Sequence, residues 1–137
     1  MEIEQAVRTC LEEANASCVI EKDGRRAISF DSGIRPLLLW LQEDADCLRG
    51  AAAADKIVGR AAALLLAYGG AAYVYGAVMS EGARQVLAVH SIRFDFGKIV
   101  ESIRNRLGTG MCPMEQRVLE IDEPKKAYET LLAVLQP

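Results

Sequence analysis

Asp55, Lys56, Ser80, Cys112 and Glu115 combine side chains able to do chemistry with places where the sequence predicts the start of a helix. A helix start exposes unpaired N–H groups and the positive end of the helix dipole, so it is a natural place to hold an anion. Asp55 and Ser80 are residue types that cap such starts, and capping alone accounts for them. Lys56 sits where the dipole disfavours a cation, which asks for an anionic partner: Asp55, Glu81 or a ligand. Cys112, ahead of Pro113, falls at a cap position where a thiolate is stabilised, the requirement for a cysteine nucleophile or thiol carrier. Its plain reading is a small buried hydrophobe. Glu115, three residues on, shares a helical face with Cys112 and would serve as a proton carrier, as part of an irregular Cys/Glu metal site with Asp55, or as a dipole-compatible acid. Gly108-Thr109-Gly110 precedes this segment and places Thr109 and Gly110 as ligand contacts, although it lacks the Lys-Ser/Thr tail of a phosphate loop.

The elements that must position these residues follow from hydrophobic spacing. Ile3, Val7, Cys10, Leu11 and Ala14 mark an amphipathic helix over residues 2–14. Ser17 to Lys22 and Ala27 to Phe30 are β-prone runs joined by Asp23-Gly24, a hairpin turn pair that makes them antiparallel neighbours. Pro36 near the start of Ile34 to Gln42 suits the first turn of a short helix, in which Trp40 is a core residue. Leu48 to Ala54 reads as a buried strand, with Asp55 as the cap of a helix over Lys56 to Tyr68. Residues 71–78 give a second strand, Ser80 the cap of a helix over 81–89 that ends at His90, and Ser91 to Phe94 a third strand. Two strand-helix units in succession predict parallel strands with helical crossovers. Residues 99–106 look weakly helical, and Pro113 to Ile121 and Glu123 to Leu135 read as closing helices. The expected architecture is a single α/β domain over residues 1–137, with a mixed sheet of about five strands and helices on both faces. In open sheets of this kind, ligands gather beyond the carboxyl ends of the strands.

Composition excludes several classes. A formal charge of -3 gives no basic field for nucleic acid or anionic lipid. Four cysteines without a C-x-x-C pair and a single histidine, His90, exclude a self-contained zinc finger. His90 at a helix end is suited to bonding late carbonyls, which leaves Cys112 without a histidine base. Ala61 to Met79 carries no formal charge over nineteen residues, yet Gly69-Gly70 and the change to β-branched and aromatic residues read as helix, stop and strand rather than a membrane span. The acidic N-terminal residues do not resemble a secretory signal, and a cytoplasmic protein with reduced thiols is expected.

The order helix, antiparallel strand pair, then strand-helix-strand-helix-strand resembles the cytidine deaminase-like fold. Asp55-Lys56-Ile57-Val58-Gly59-Arg60-Ala61-Ala62-Ala63-Leu64-Leu65 and Gly108-Thr109-Gly110-Met111-Cys112-Pro113-Met114-Glu115-Gln116 resemble, more specifically, an uncharacterised family of small prokaryotic proteins in that superfamily. The resemblance implies a three-layer α/β/α fold and a pocket at the strand ends. Zinc deaminases of this fold carry H-x-E or C-x-E at the first crossover helix and P-C-x-x-C at the second. Here Asp55 as ligand leaves Ile57 at the glutamate position, Asp55 as the glutamate leaves Ala53 at the ligand position, and Ser80 to Gln85 contains no cysteine. The expectation is therefore a zinc-free protein without a cofactor that binds a small nucleotide-like or anionic molecule, with Asp55, Lys56 and Ser80 on the pocket floor and the Cys112 segment above. A Cys112-dependent enzyme using Asp55 or Glu115, and a non-catalytic homo-oligomeric interaction module, are the alternatives.

Overall fold

A computed structural model describes residues 2–105 and 107–135. The chain runs α1 (Ile3–Glu13), β1 (Cys18–Lys22), β2 (Arg25–Ser29), α2 (Arg35–Glu43), β3 (Ala52–Val58), α3 (Arg60–Gly69), β4 (Tyr73–Ser80), α4 (Glu81–Val89), β5 (Arg93–Val100), α5 (Pro113–Arg117) and α6 (Pro124–Leu135). The strands form one sheet in the order β2-β1-β3-β4-β5, antiparallel where β1 meets β2 and β3, and parallel from β3 to β5. This is the mixed five-stranded α/β sheet the spacing predicts. Asp23 and Gly24 take positive φ of 51° and 77°, the left-handed pair that a tight two-residue hairpin needs.

The three central strands, β1, β3 and β4, are covered on both faces, which explains why they are short of polar residues. Helix α1 lays Val7 and Leu11 over Val19, Ala52, Ala54, Tyr73 and Tyr75. The opposite face carries Cys18, Ala53 and Val74 beneath α2, α3, α4 and α6, with Leu37, Leu64, Leu65, Leu87 and Leu131 in the same cluster. Because strand side chains alternate, Asp55 follows Ala53 onto this second face, whereas Ala54 points to α1. The uncharged run from Ala61 to Met79 divides into α3, a left-handed Gly70 at φ 80° that ends it, and β4. Among the described residues no helix is long and apolar enough to cross a membrane.

Three segments differ from the sequence expectation. Strand β3 begins at Ala52 and runs through Asp55 and Lys56 to Val58, so neither charged residue starts a helix. Residues 48–50 lie in turns. Antiparallel pairing of Cys18 with Asp55 and parallel pairing of Asp55 with Gly76 hold the charged pair in the sheet, which local capping preference cannot foresee. Strand β5 continues to Val100, because it pairs with β4 through Ser80, and residues 103–105 and 107–112 then form a hairpin-like tongue in place of a weak helix, residue 106 of that expected helix lying outside the described residues. Helix α5 stops at Arg117, short of Ile121.

Candidate functional site

A cavity of about 540 Å³ lies on the second face of the sheet, at the carboxyl end of β3. Asp55 and Ile57 of β3 meet Ala62 of α3, Ile34 ahead of α2, Ile103 and Asn105 of the tongue, and Cys112 to Glu115 around α5. The cavity therefore unites the Asp55 and Cys112 segments. Its lining is mainly aliphatic, the usual character of a site that buries most of a small organic ligand. The exposed Lys56 and Arg104 stand at its mouth.

Asp55 is only 7% exposed, and burial pushes its carboxyl up to about 7. The Ile57 N–H, with the nearby Cys18 thiol and Lys56 N–H, acts in the opposite direction without cancelling it. The Ile57 N–H donates to Oδ1 at 3.1 Å. Cys18, its neighbour across the β1–β3 ladder, is raised well above an ordinary thiol, first by burial and then by the Asp55 charge. Lys56 does not reach back to Asp55: its Nζ donates to Oδ1 of Asn15 at 2.9 Å. The sequence signal for Cys18, a thiol opposite an acid, appears only once the strands are in register.

Glu115 is buried as well, but its carboxylate is already engaged. Oε1 accepts the Arg60 N–H and Oε2 the Ala61 N–H, each at 2.7 Å, so the side chain closes the first turn of α3. Helix α3 has Gly59 at its cap position and no side chain of its own to do this. Gly59 gives the carboxylate room, since a Cβ there would overlap Glu115 Oε1 and lie 2.7 Å from Ile103 Cγ1. Burial raises the Glu115 carboxyl, against the lowering effect of the two N–H donors and the Arg60 charge. The positive end of α3, the place an anionic ligand would seek, is thus filled by the protein itself.

The tongue that borders the cavity is held by its own backbone. Asn105 N–H donates to Gly110 O and Cys112 N–H to Ile103 O, both at 2.9 Å, around a turn with Gly108 at φ 70°. Asn105 Oδ1 also accepts the Thr109 N–H at 3.1 Å. Thr109 and Gly110 therefore shape the tongue without lining the cavity. Cys112 occupies the cap position of α5 with Pro113 in the first turn, as its spacing predicts, but its thiol makes no capping bond. Ser80 caps α4 by accepting the Ala83 N–H at 3.1 Å and does not line the cavity. His90 ends α4, where its backbone N–H bonds Val86 O.

Of the residues singled out in the sequence, Asp55, Lys56, Cys112 and Glu115 converge, while Ser80, Thr109 and Gly110 stand outside the lining. Gly59, Arg60, Ile103 and Asn105 escaped the sequence reading, because their roles rest on contacts between distant segments. Among the described residues no group of three or more His, Cys, Asp or Glu side chains is placed to hold a metal ion.

Comparison with known proteins gives a consistent placement. Residues 6–135 match the family model described as a domain of unknown function (DUF1893). The chain is similar to the crystal structure of a DUF1893 family protein from Thermotoga maritima, with a TM-score of 0.86 and 27% identity, covering 96% of this chain and 89% of that one. No curated protein matches.

Proposed function

The chain belongs to the DUF1893 family, and from that premise we propose that it binds a small organic molecule in the cavity between β3, α5 and the tongue. The observation that carries the reading is a buried carboxyl, Asp55, set into an otherwise largely aliphatic cavity. Few polar groups in an apolar cleft are what orient a ligand without weakening its burial. A nucleotide-like molecule suits the arrangement if its ring enters the cavity and its anionic portion stays at the mouth beside Lys56 and Arg104. The order of the antiparallel pair and the two crossovers supports assigning the fold to the cytidine deaminase-like group.

The test is a thermal-shift panel of nucleosides, nucleotides and small carboxylates on the wild-type chain and on Asp55→Asn. A ligand at a hundredfold excess over its Kd adds on the order of 2.7 kcal/mol of stability. A stabilising compound whose effect changes in Asp55→Asn supports the reading, and a panel without any shift overturns it. A second reading, a thiol-dependent enzyme, is favoured by Cys112 and Asp55 lining one cavity. In that case the Cys112 sulfur would displace a leaving group from an electrophilic carbon of the substrate, with Asp55 passing the thiol proton to the departing group, since the Glu115 oxygens are already accepting N–H bonds. Turnover that survives Cys112→Ala would remove it.

A further inference from the structure

We infer, resting on the ligand-binding reading above, that the group recognised in the cavity is a basic nitrogen of the amine or amidine class, carried on an apolar body and held by the Asp55 carboxylate. The charged and titratable groups around Asp55 leave room for such a group. On β1 the Cys18 thiol stands opposite it, and on β3 the neighbouring Lys56 directs Nζ to Asn15. On α5 Glu115 is committed to the Arg60 and Ala61 N–H groups, and the exposed Arg104 and the half-buried Cys112 complete the titratable lining. Among the described residues no Lys or Arg forms an ion pair with Asp55.

A carboxylate held out of water without a cation is costly, and a ligand carrying N–H donors on a positive centre supplies the missing charge together with charge-assisted hydrogen bonds. The aliphatic side chains of Ile34, Ile57, Ile103 and Met114 would receive the body of that ligand. An anionic group would meet the opposite reception. It would face Asp55, and Glu115 has already taken the positive end of α3.

Benzamidine, benzamide and benzoate share one shape and differ in the charge and donors of a single group. Their binding is followed by shifts of the backbone amide signals of Ile57, Ile103 and Cys112 in the 15N-labelled full chain at pH 8. The expected result is benzamidine binding at least about tenfold more tightly than benzamide, benzoate more weakly still, and the preference erased in Asp55→Asn, which keeps the side-chain shape and the Ile57 bond. Benzamidine remains protonated between pH 6 and 8, so its affinity should also fall about tenfold from pH 8 to pH 6 as Asp55 takes up a proton. Equal binding of the three probes at these amides, or a preference for benzoate, overturns this inference and leaves the ligand-binding reading intact. If none perturbs the cavity amides, this inference falls as well, and the thermal-shift panel decides the ligand-binding reading on its own.

Discussion

Glu115 and Arg60 each close the end of the helix on which the other stands. The Glu115 carboxylate accepts the first N–H groups of α3, and the Arg60 guanidinium donates to Val118 O at 3.0 Å and to Ile121 O just beyond α5. Asp122 completes the set with an ion pair to Arg60 at 2.7 Å. The exchange satisfies groups that a helix cannot satisfy internally and ties α5 to the cavity wall.

Glu115→Ala leaves two N–H groups of α3 without partners in a buried place. It should cost about 2–4 kcal/mol in urea unfolding, whereas Glu115→Gln, which keeps one acceptor oxygen, should cost less. A double-mutant cycle with Arg60→Ala should show coupling of at least about 0.5 kcal/mol, because the two side chains hold the same junction. Additive losses would show that the two caps act separately.

Gly59→Ala tests the same junction without touching a polar group. The new methyl would overlap the Glu115 carboxylate and Ile103, so the expected loss is about 1–3 kcal/mol with enhanced exchange of the tongue amides. A neutral substitution would mean that the carboxylate relocates at little cost.

Asp55 makes stability depend on pH in a defined direction. Its folded value near 7 lies above the ordinary carboxylate value of 3.8, so folding favours the protonated form. Its contribution is fully present below pH 4 and is lost as the pH rises toward 7, by up to about 4 kcal/mol. Asp55→Asn should therefore raise the Tm at pH 8 and leave it nearly unchanged at pH 4. An equal effect at both pH values would contradict the assignment.

Cys18 and Cys112 should label differently with iodoacetamide. Cys18 is buried and its thiol is raised by burial and by Asp55, so it should react only when the fold opens, orders of magnitude more slowly than in urea. Cys112, half-buried at the cavity, should react first, and a bound ligand should slow it. Equal rates at Cys18 and Cys112 in the folded protein would count against a closed β1–β3 ladder.

The hydrophobic spacing made the element order and the sheet type legible, and Asp23-Gly24, Ser80 and the Cys112-Pro113 start behave as their local chemistry predicts. Asp55 shows where that reasoning ends. Locally it is a good helix cap, but two neighbouring strands hold it in β3 and a glutamate from a distant segment takes over the cap. The convergence of Asp55 and Cys112 was expected and is present, while the exclusion of Ser80 depends on which strand ends the cavity spans. No periodicity encodes the match between Gly59 and Glu115, because it is a matter of space between segments.

The cap of α3 also orders events in time. The groups that bond Arg60 and Ala61 are separated from them by 55 and 54 residues of chain, so during synthesis the helix emerges well before the carboxylate that completes it. A nascent chain can assemble β1 to β4 around α3 while the cavity still lacks its tongue and α5. The cavity is then one of the last features the growing polypeptide completes, and truncations upstream of Glu115 should yield a partly ordered sheet with a frayed α3.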